Sequence, residues 1–457
     1  MESEMNNNRY GYSMINACSQ RISDFNRYIN PTEFTIPDEY RIDDYVLGLD
    51  APIGMVFSDD GELYIVESGY TSGNPKLLRL SNEHFEVIAD NFIVPVRGIN
   101  YLDGNIFVSH GDRITMIRSN GTRQDILSGL LCNGDYGISN IAFGPEGKIY
   151  FGVGTVTNSG VVGNDNEWIF AHPFLHDEPT FDVILNGQNF LTHNILISAG
   201  EGSFTGAFSA YTVPNIPNEI RKGIRKGSGS ILRANRDGTE LEQIAGGFRN
   251  PLYIKFNREF RLYVANRGYD VRGSRPIANA PDELQVLTHG VWYGWPDYVA
   301  GEPVTSPRFR PEGGPQPDFL IANHPNIPPK PYAEFQPHSS IMGFDFDYTN
   351  YFGPYGDIYV AEYGSHGPLT LGPAAPYRGI GHKISKVDRN TGAVSTFVSN
   401  KSGLPTFITG AGGFGRPVDV RFGADRSMYI LDIGVSDPNN LAQLIPYTGM
   451  IWRVTRI

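Results

Sequence analysis

A two-strand pattern recurs six times along the chain and constrains the fold more than any other feature. Each copy has an apolar strand, a polar turn and a second strand with an aromatic residue near its centre. These aromatic residues are Tyr64, Phe107, Tyr150, Tyr263, Tyr359 and Tyr429. The first three follow one another at intervals of 43 residues, which matches one four-stranded propeller blade of about 40–50 residues. The sequence therefore predicts an all-β fold, a six-bladed β-propeller with long inserted loops where the intervals are longer.

The repeat also predicts the domain organisation. We interpret residues 1–40 as an N-terminal extension and residues 41–457 as the propeller. The strand at residues 450–456 is expected to complete a blade shared with the beginning of the chain, because this pairing hides a strand edge. A β-sandwich is the structural alternative, but sandwiches do not repeat a hairpin at constant spacing.

Composition excludes several classes of protein. The chain has 457 residues with 53 Gly and 32 Pro, which favours many turns and short strands. Its net charge of −12 argues against a nucleic-acid partner. No apolar run approaches the roughly 20 residues of a membrane helix, so no membrane span is expected. The polar N-terminus lacks the pattern of a signal peptide, which predicts a protein inside the cell or exported by another route.

The residues that precede the first strand of each repeat are expected to lie at one mouth of the propeller channel. They are Asp50, Arg97, Tyr136, Arg249, Asn250, His338 and Arg416. Several cationic side chains that converge in an acidic protein favour a site for an anionic ligand, since Arg binds carboxylates through paired hydrogen bonds. The alternative is that these Arg residues only join neighbouring blades through Asp partners.

The fourth repeat carries the strongest run of motifs. It reads Gly247-Phe-Arg249-Asn250-Pro251, Asn266-Arg-Gly268-Tyr269-Asp270, Asp282-Glu283-Leu and Trp292-Tyr293-Gly294-Trp295-Pro296. This run resembles the glucose/sorbosone dehydrogenase family, soluble quinoproteins with a six-bladed propeller. The resemblance implies a dehydrogenase that uses pyrroloquinoline quinone and calcium, with a small sugar or aldehyde as substrate.

The resemblance also implies roles for individual residues. Arg249 and Asn250 would contact the quinone, as would Arg416. The backbone carbonyls of Gly268 and Tyr269 would hold calcium, and the remaining implied residues, which support the metal loop, are Asp282 and Glu283. Calcium prefers such hard oxygen ligands and would polarise the quinone carbonyl.

The chain departs from the family pattern at several positions. Tyr136 stands where the family has its catalytic His, and a tyrosine with a pKa near 10 is a poor base at neutral pH. The candidates to replace this base are the adjacent Asp135 and His338 at the mouth of blade 5. Other departures are Val418 in place of a second Arg and Ile380 in place of a Lys, for which Arg378 is the nearest cation.

Three functions remain open on the sequence alone. The first is a sugar dehydrogenase dependent on calcium and quinone. The second is a propeller of the same ancestry that lacks the base and binds a carbohydrate or a protein. The third is a calcium-dependent lactonase-type hydrolase, which only the analogy of fold supports.

Overall fold

The regular secondary structure of the described residues consists almost entirely of strands. The computed structural model describes residues 15–16, 26–81, 84–197, 201–365 and 379–457. Within these ranges the helices are one turn of α-helix and short 3₁₀ turns: Thr406–Thr409, Pro31–Glu33, Glu167–Phe170 and Pro307–Phe309. None of these helices has the length and apolar character needed to cross a membrane. The predicted all-β class is confirmed.

The first three blades are four-stranded antiparallel sheets, and the strands of each follow one another from the channel outwards. Blade 1 consists of Pro52–Phe57, Leu63–Glu67, Lys76–Ser81 and His84–Ala89. Blade 2 consists of Val96–Leu102, Asn105–His110, Arg113–Ile117 and Arg123–Leu127. Blade 3 consists of Ile138–Phe143, Ile149–Val153, Ser230–Ala234 and Glu242–Ala245.

The other three blades follow the same order, and two of them gain strands from the N-terminal part of the chain. Blade 4 consists of Pro251–Phe256, Leu262–Asn266, Asp282–Val286 and Ala333–Phe335. Blade 5 consists of Ile341–Phe346, Ile358–Glu362, Lys383–Val387, Val394–Asn400 and Phe34–Thr35. Blade 6 consists of Pro417–Phe422, Met428–Asp432, Gly449–Arg456, Tyr40–Leu49 and Ile15–Asn16.

The six inner strands form a closed ring. Each one contacts the inner strand of the next blade, and blade 6 contacts blade 1. The approach is close at Gly98 of blade 2, where a Cβ atom would lie 2.4 Å from the Cα atom of Asn140 in blade 3. A side chain there would force the blades apart, so the glycine allows the ring to close. The predicted number of blades is confirmed.

Blade 6 joins the two ends of the chain. Its strand Gly449–Arg456 pairs antiparallel with Tyr40–Leu49, as the sequence predicts. Farther upstream, Phe34 is buried against the rings of Phe414 and Trp452, at centroid distances of 4.6 and 4.9 Å. The segment before residue 41 thus contributes strands to two blades and a ring to the core.

The hydrophobic core lies between neighbouring blades. The predicted aromatic anchors all lie on second strands and are buried, with at most 8% of their surface exposed. The long connections that follow second strands carry small extra ribbons. These ribbons are Val183–Ile184 with Ile220–Arg221, Asn189–His193 with Gly202–Gly206, and Ser436–Asp437 with Asn440–Leu444. Blade 4 carries another, Tyr298–Val299 with Glu302–Pro303, after its third strand.

Candidate functional site

One end of the channel opens into a cavity of about 640 Å³ to which all six blades contribute. The wall is formed by the starts of the inner strands and by the loops that follow the second strands. One lining residue from each blade in turn is Thr71, Arg97, Tyr136, Asn250, Met342 and Val418. The ring of blades therefore brings distant parts of the sequence to a single site, as is usual for ligand sites in closed folds.

Buried polar side chains at the ends of second strands hold the loops of this mouth. The Glu67 carboxylate accepts a hydrogen bond from the backbone N–H of Asp50 at 2.9 Å. In blade 4, Oδ1 of Asn266 accepts from the N–H groups of Arg249 and Asn250, at 3.1 and 3.0 Å. Asp432 accepts in the same way from the N–H groups of Gly415 and Arg416, at 2.7 and 2.9 Å. In these three blades the hydrogen bonds hold the loop that leads into the inner strand.

Arg97 provides a positive charge in the cavity wall that no carboxylate of the described residues neutralises. It makes no ion pair within the described ranges, and its buried Nε atom has no hydrogen-bond partner there. The guanidinium group lies beside Gly137, where a Cβ atom would come within 2.8 Å of Nε. A buried donor without a partner is costly, so Arg97 is suited to an anionic ligand.

Arg267 is the second such cation in the wall. Its Nη2 donates to Oγ of Ser340 at 2.6 Å, and it has no carboxylate partner in the described part of the chain. Four tyrosines also line the cavity: Tyr70, Tyr136, Tyr253 and Tyr363. Cationic donors beside aromatic rings suit a planar anion, because the rings offer flat apolar area while the guanidinium groups pair with charged oxygens.

Arg249 does not face the cavity, although the resemblance implies that it contacts the cofactor. Its side chain is 3% exposed, and each guanidinium nitrogen donates to protein oxygens. The acceptors include the carbonyls of Asn158 and Gly268, the amide oxygen of Asn158 at 2.8 Å and the carboxylate of Asp270 at 2.7 Å. Asn250, its neighbour, does line the cavity.

Tyr136 and Asp135 line the cavity but are tied to cations. The phenol oxygen of Tyr136 accepts hydrogen bonds from Arg249 and from Arg272, the latter at 3.1 Å. Burial raises the pKa of this phenol. Asp135 accepts from Nη2 of Arg272 at 2.6 Å and from Nε1 of Trp168 at 2.9 Å. Neither group is arranged as a free base.

His338 lies next to Asp270. Its Nδ1 atom is 3.7 Å from Oδ1 of Asp270, and its side chain is 24% exposed. The interaction with Asp270 raises the pKa of His338, against the opposite effect of burial. Burial acts to raise the pKa of Asp270, but the charge of Arg249 and contact with His338 hold it well below its usual range. His338 does not line the cavity.

Of the remaining predicted cations, Arg416 does not line this cavity. Arg416 is fully buried, donates to Oγ of Ser436 at 2.6 Å and packs on the ring of Tyr363, with Cζ 4.5 Å from the centroid. Burial lowers the pKa of Arg416. Arg378 lies outside the described residues. Arg416 thus supports a cavity residue, Tyr363, without reaching the cavity itself.

The two carboxylates that the resemblance places in the metal loop accept hydrogen bonds from protein donors. Asp282 accepts from the N–H of Gly268 at 2.7 Å and, across to blade 5, from Ser339 and Ile341 at 3.0 Å each. Glu283 accepts from the N–H of Ala300 at 2.7 Å, and burial raises its pKa.

The two predicted carbonyl ligands do not complete a metal site. The carbonyl oxygen of Gly268 accepts a hydrogen bond from Arg249. The ring of Tyr269 is buried in a hydrophobic cluster formed by the long connections of blades 3 and 4. No group of three or more His, Cys, Asp or Glu side chains within the described ranges is arranged to hold a metal ion. These residues, as they are placed here, do not fit calcium.

Two ion pairs lie on the inner strands of blades 4, 5 and 6. Lys255 pairs with Asp345 at 2.5 Å, and Arg421 pairs with Asp419 at 2.6 Å. Arg421 also lies 5.3 Å from the ring centroid of Tyr253, which forms part of the cavity wall. Burial raises the pKa of Asp419 to about 6. These charged side chains therefore lie next to a residue of the cavity wall.

The comparisons with known proteins agree on the fold. The sequence matches no protein-family model and no curated protein. Among solved structures, the holo form of the pyranose dehydrogenase PQQ domain from Coprinopsis cinerea is similar, with a TM-score of 0.59 and 15% identity over 94% of this chain and 98% of that one. A family AA12 carbohydrate-active enzyme from Trichoderma reesei has a TM-score of 0.56 and 14% identity, over 94% and 100% of the two chains.

A third similar structure comes from a bacterium. It is a putative oxidoreductase (glucose dehydrogenase) from Thermus thermophilus, with a TM-score of 0.53 and 16% identity over 91% of this chain and 100% of that one. The matches span nearly the whole of both chains. They establish that this chain has the six-bladed propeller fold seen in sugar dehydrogenases.

Proposed function

We propose that the protein is a sugar dehydrogenase-like oxidoreductase whose central cavity binds pyrroloquinoline quinone. The observation that carries the proposal is the pair of guanidinium groups, Arg97 and Arg267, that line the cavity without a carboxylate partner in the described residues. Pyrroloquinoline quinone is a planar tricarboxylate, so its charge and shape suit these cations and the surrounding tyrosines. The structure of the Coprinopsis cinerea PQQ domain, which shares the fold, supports the same assignment.

The reaction would oxidise a small sugar or aldehyde at the open mouth of the cavity. The bound quinone would supply a hydride acceptor. Arg97 and Arg267 would hold its carboxylates, and the rings of Tyr136 and Tyr363 would exclude water from its faces. Of the predicted bases, Asp135 and Tyr136 are held by arginines and His338 does not line the cavity, so the proton of the substrate would pass to solvent at the open mouth. Calcium has no part in this proposal because Asp282, Glu283 and the carbonyl of Gly268 already accept hydrogen bonds from the protein.

A binding protein without turnover is the second candidate. The observation that favours it is Tyr136, whose phenol stands at the position of the expected base and is fixed between Arg249 and Arg272. With its pKa raised by burial, this phenol stays protonated at neutral pH. A cavity that binds the quinone or a sugar acid without oxidising a substrate would fit this arrangement.

Reconstitution separates the two candidates. Purified protein is titrated with pyrroloquinoline quinone in a calorimeter, and dye reduction is then measured with a panel of aldoses. Binding with turnover supports the dehydrogenase, and binding without turnover supports the second candidate. Absence of quinone binding in buffers with and without calcium would refute both the cofactor and the proposed site.

A further inference from the structure

We propose that the guanidinium group of Arg249 is the resident cation of this site and takes the place of a metal ion. Arg249 projects from the loop before the inner strand of blade 4 and is 2% exposed. This position differs from that of Arg97 and Arg267, which face the cavity. Its charge is therefore available to the protein and not to a ligand.

Oxygen atoms surround the guanidinium group on several sides. They are the carbonyl oxygens of Gly268 and Asn158, the amide oxygen of Asn158, a carboxylate oxygen of Asp270 and the phenol oxygen of Tyr136. Carbonyl, amide and carboxylate oxygens are also the ligands that calcium prefers. In this protein, these oxygen atoms accept hydrogen bonds from the guanidinium group of Arg249.

The aromatic residues of the site complete this enclosure. Cζ of Arg249 lies 4.5 Å from the ring centroid of Tyr136 and 5.9 Å from that of Tyr269. Rings at these distances attract a guanidinium group through their negative faces. Tyr136, which replaces the expected histidine, is thus a partner of Arg249 through both its ring and its hydroxyl group.

A divalent ion and this guanidinium group would compete for the same oxygens. Arg does not lose its charge in proteins, so a calcium ion bound to the carbonyl of Gly268 would lie beside a fixed positive charge. The carboxylates nearest in sequence to these oxygens, Asp282 and Glu283, already accept hydrogen bonds from the protein. The oxygens around Arg249 are therefore already directed at a cation, which is its guanidinium group.

Calcium binding tests this inference without any quinone. The inference rests on the proposed function only because that function suggests calcium as the ion to test, so the two can fail independently. Wild-type protein treated with EDTA and then dialysed is titrated with calcium chloride in a calorimeter. We expect no binding, and a melting temperature that is unchanged by millimolar calcium or by EDTA. A stoichiometric calcium site that raises the melting temperature of the wild type would overturn the inference.

The Arg249→Ala variant tests the same point from the other side. Removal of the guanidinium group leaves the oxygens without their cation, so calcium or methylguanidinium at millimolar concentration should raise the melting temperature by at least about 2 °C. The matched control is Arg97→Ala, which removes a cation that no oxygens enclose and should show no such response. A folded Arg249→Ala protein that responds to neither ion would refute the inference; if it does not fold, the wild-type titration decides.

Discussion

Arg272 and Asp135 are joined by a 2.6 Å ion pair between Nη2 and Oδ2 at the edge of the cavity. The same guanidinium group reaches Asp165 at 2.5 Å and the phenol oxygen of Tyr136 at 3.1 Å. Arg272 comes from the insertion of blade 4, whereas its partners belong to blade 3 and its insertion. One side chain therefore fixes the relative position of two blades where the cavity opens.

Replacement of Arg272 by Ala should destabilise the protein by about 3 kcal/mol at pH 7, because two largely buried carboxylates lose their partner. The loss should shrink as the pH falls, since burial raises the pKa of Asp165 and an unpaired carboxyl is neutralised by protonation. Urea unfolding at pH 5 and pH 7 measures both effects. The control is Arg453→Ala, which breaks a more exposed pair with Asp425 and should cost about 1 kcal/mol or less; equal losses for the two variants would contradict the prediction.

Arg97 should matter for ligand affinity and not for folding. Arg97→Ala is expected to weaken binding of pyrroloquinoline quinone by about 10- to 100-fold, because a charge-assisted hydrogen bond contributes about 1.5–3 kcal/mol. Its melting temperature should not fall, since the guanidinium group has no ion-pair partner among the described residues. Calorimetry measures the affinity.

Arg118→Ala is the matched control for that variant. Arg118 lies in the same blade, and its side chain donates to Gln124 on the protein surface at 2.8 Å. Its removal should leave the affinity unchanged. Unchanged affinity in Arg97→Ala as well would show that Arg97 does not contact the ligand.

The repeat predicted the fold because its aromatic anchors have a structural cause. Each anchor lies on a second strand and packs between blades, so the same residue type recurs at the same place.

The pattern also carried a signal that reasoning from the sequence missed. Three residues after five of the six anchors stands a polar side chain, and these residues are Glu67, His110, Asn266, Glu362 and Asp432. Four of them hold the loop before the inner strand, through hydrogen bonds such as the one from the N–H of Ile93 to His110 at 3.0 Å.

The roles of individual arginines could not be read from the sequence. Arg249 and Arg97 both lie near the start of an inner strand. Even so, oxygens enclose Arg249, whereas Arg97 faces the cavity. The difference arises from Asn158 and Asp270, which lie in the connections after the second strands of blades 3 and 4 and whose positions depend on tertiary packing. Arg267 also lines the cavity, although the motif that contains it directed attention to the neighbouring Gly268.

Glu362 should make the protein less stable as the pH rises. Burial raises the pKa of this carboxyl to about 7, and it accepts a hydrogen bond from Ser385. An unfolded Glu has a pKa near 4.3, so between about pH 4.5 and pH 7 the folded state binds the proton more tightly and stability falls with increasing pH. Glu362→Gln should abolish this fall and be more stable than the wild type at pH 8, by up to about 3 kcal/mol.

Urea unfolding between pH 5 and pH 8 measures that effect. Glu86→Gln serves as the control because Glu86 pairs with Arg79 at the surface, with 54% of its side chain exposed. Its stability should follow the wild-type pH dependence closely. A Glu362→Gln curve parallel to that of the wild type would mean that the carboxyl is not held in the protonated form.

Arg27 should anchor the N-terminal segment to the propeller. Its guanidinium group pairs with Asp432 at 2.7 Å, with side-chain exposures of 1% and 0%, and donates to the carbonyls of Gly413 and Thr448. Arg27→Ala leaves the Asp432 carboxylate buried without its counter-charge, so we expect a loss of about 3–5 kcal/mol in the free energy of unfolding. Because Asp432 also holds the loop before Arg416, the variant should in addition become more sensitive to proteolysis near residue 415. The exposed pair of Arg236 and Asp103 provides the control: Arg236→Ala should cost less than about 1 kcal/mol, and a similar small cost for Arg27→Ala would show that the segment is not anchored in this way.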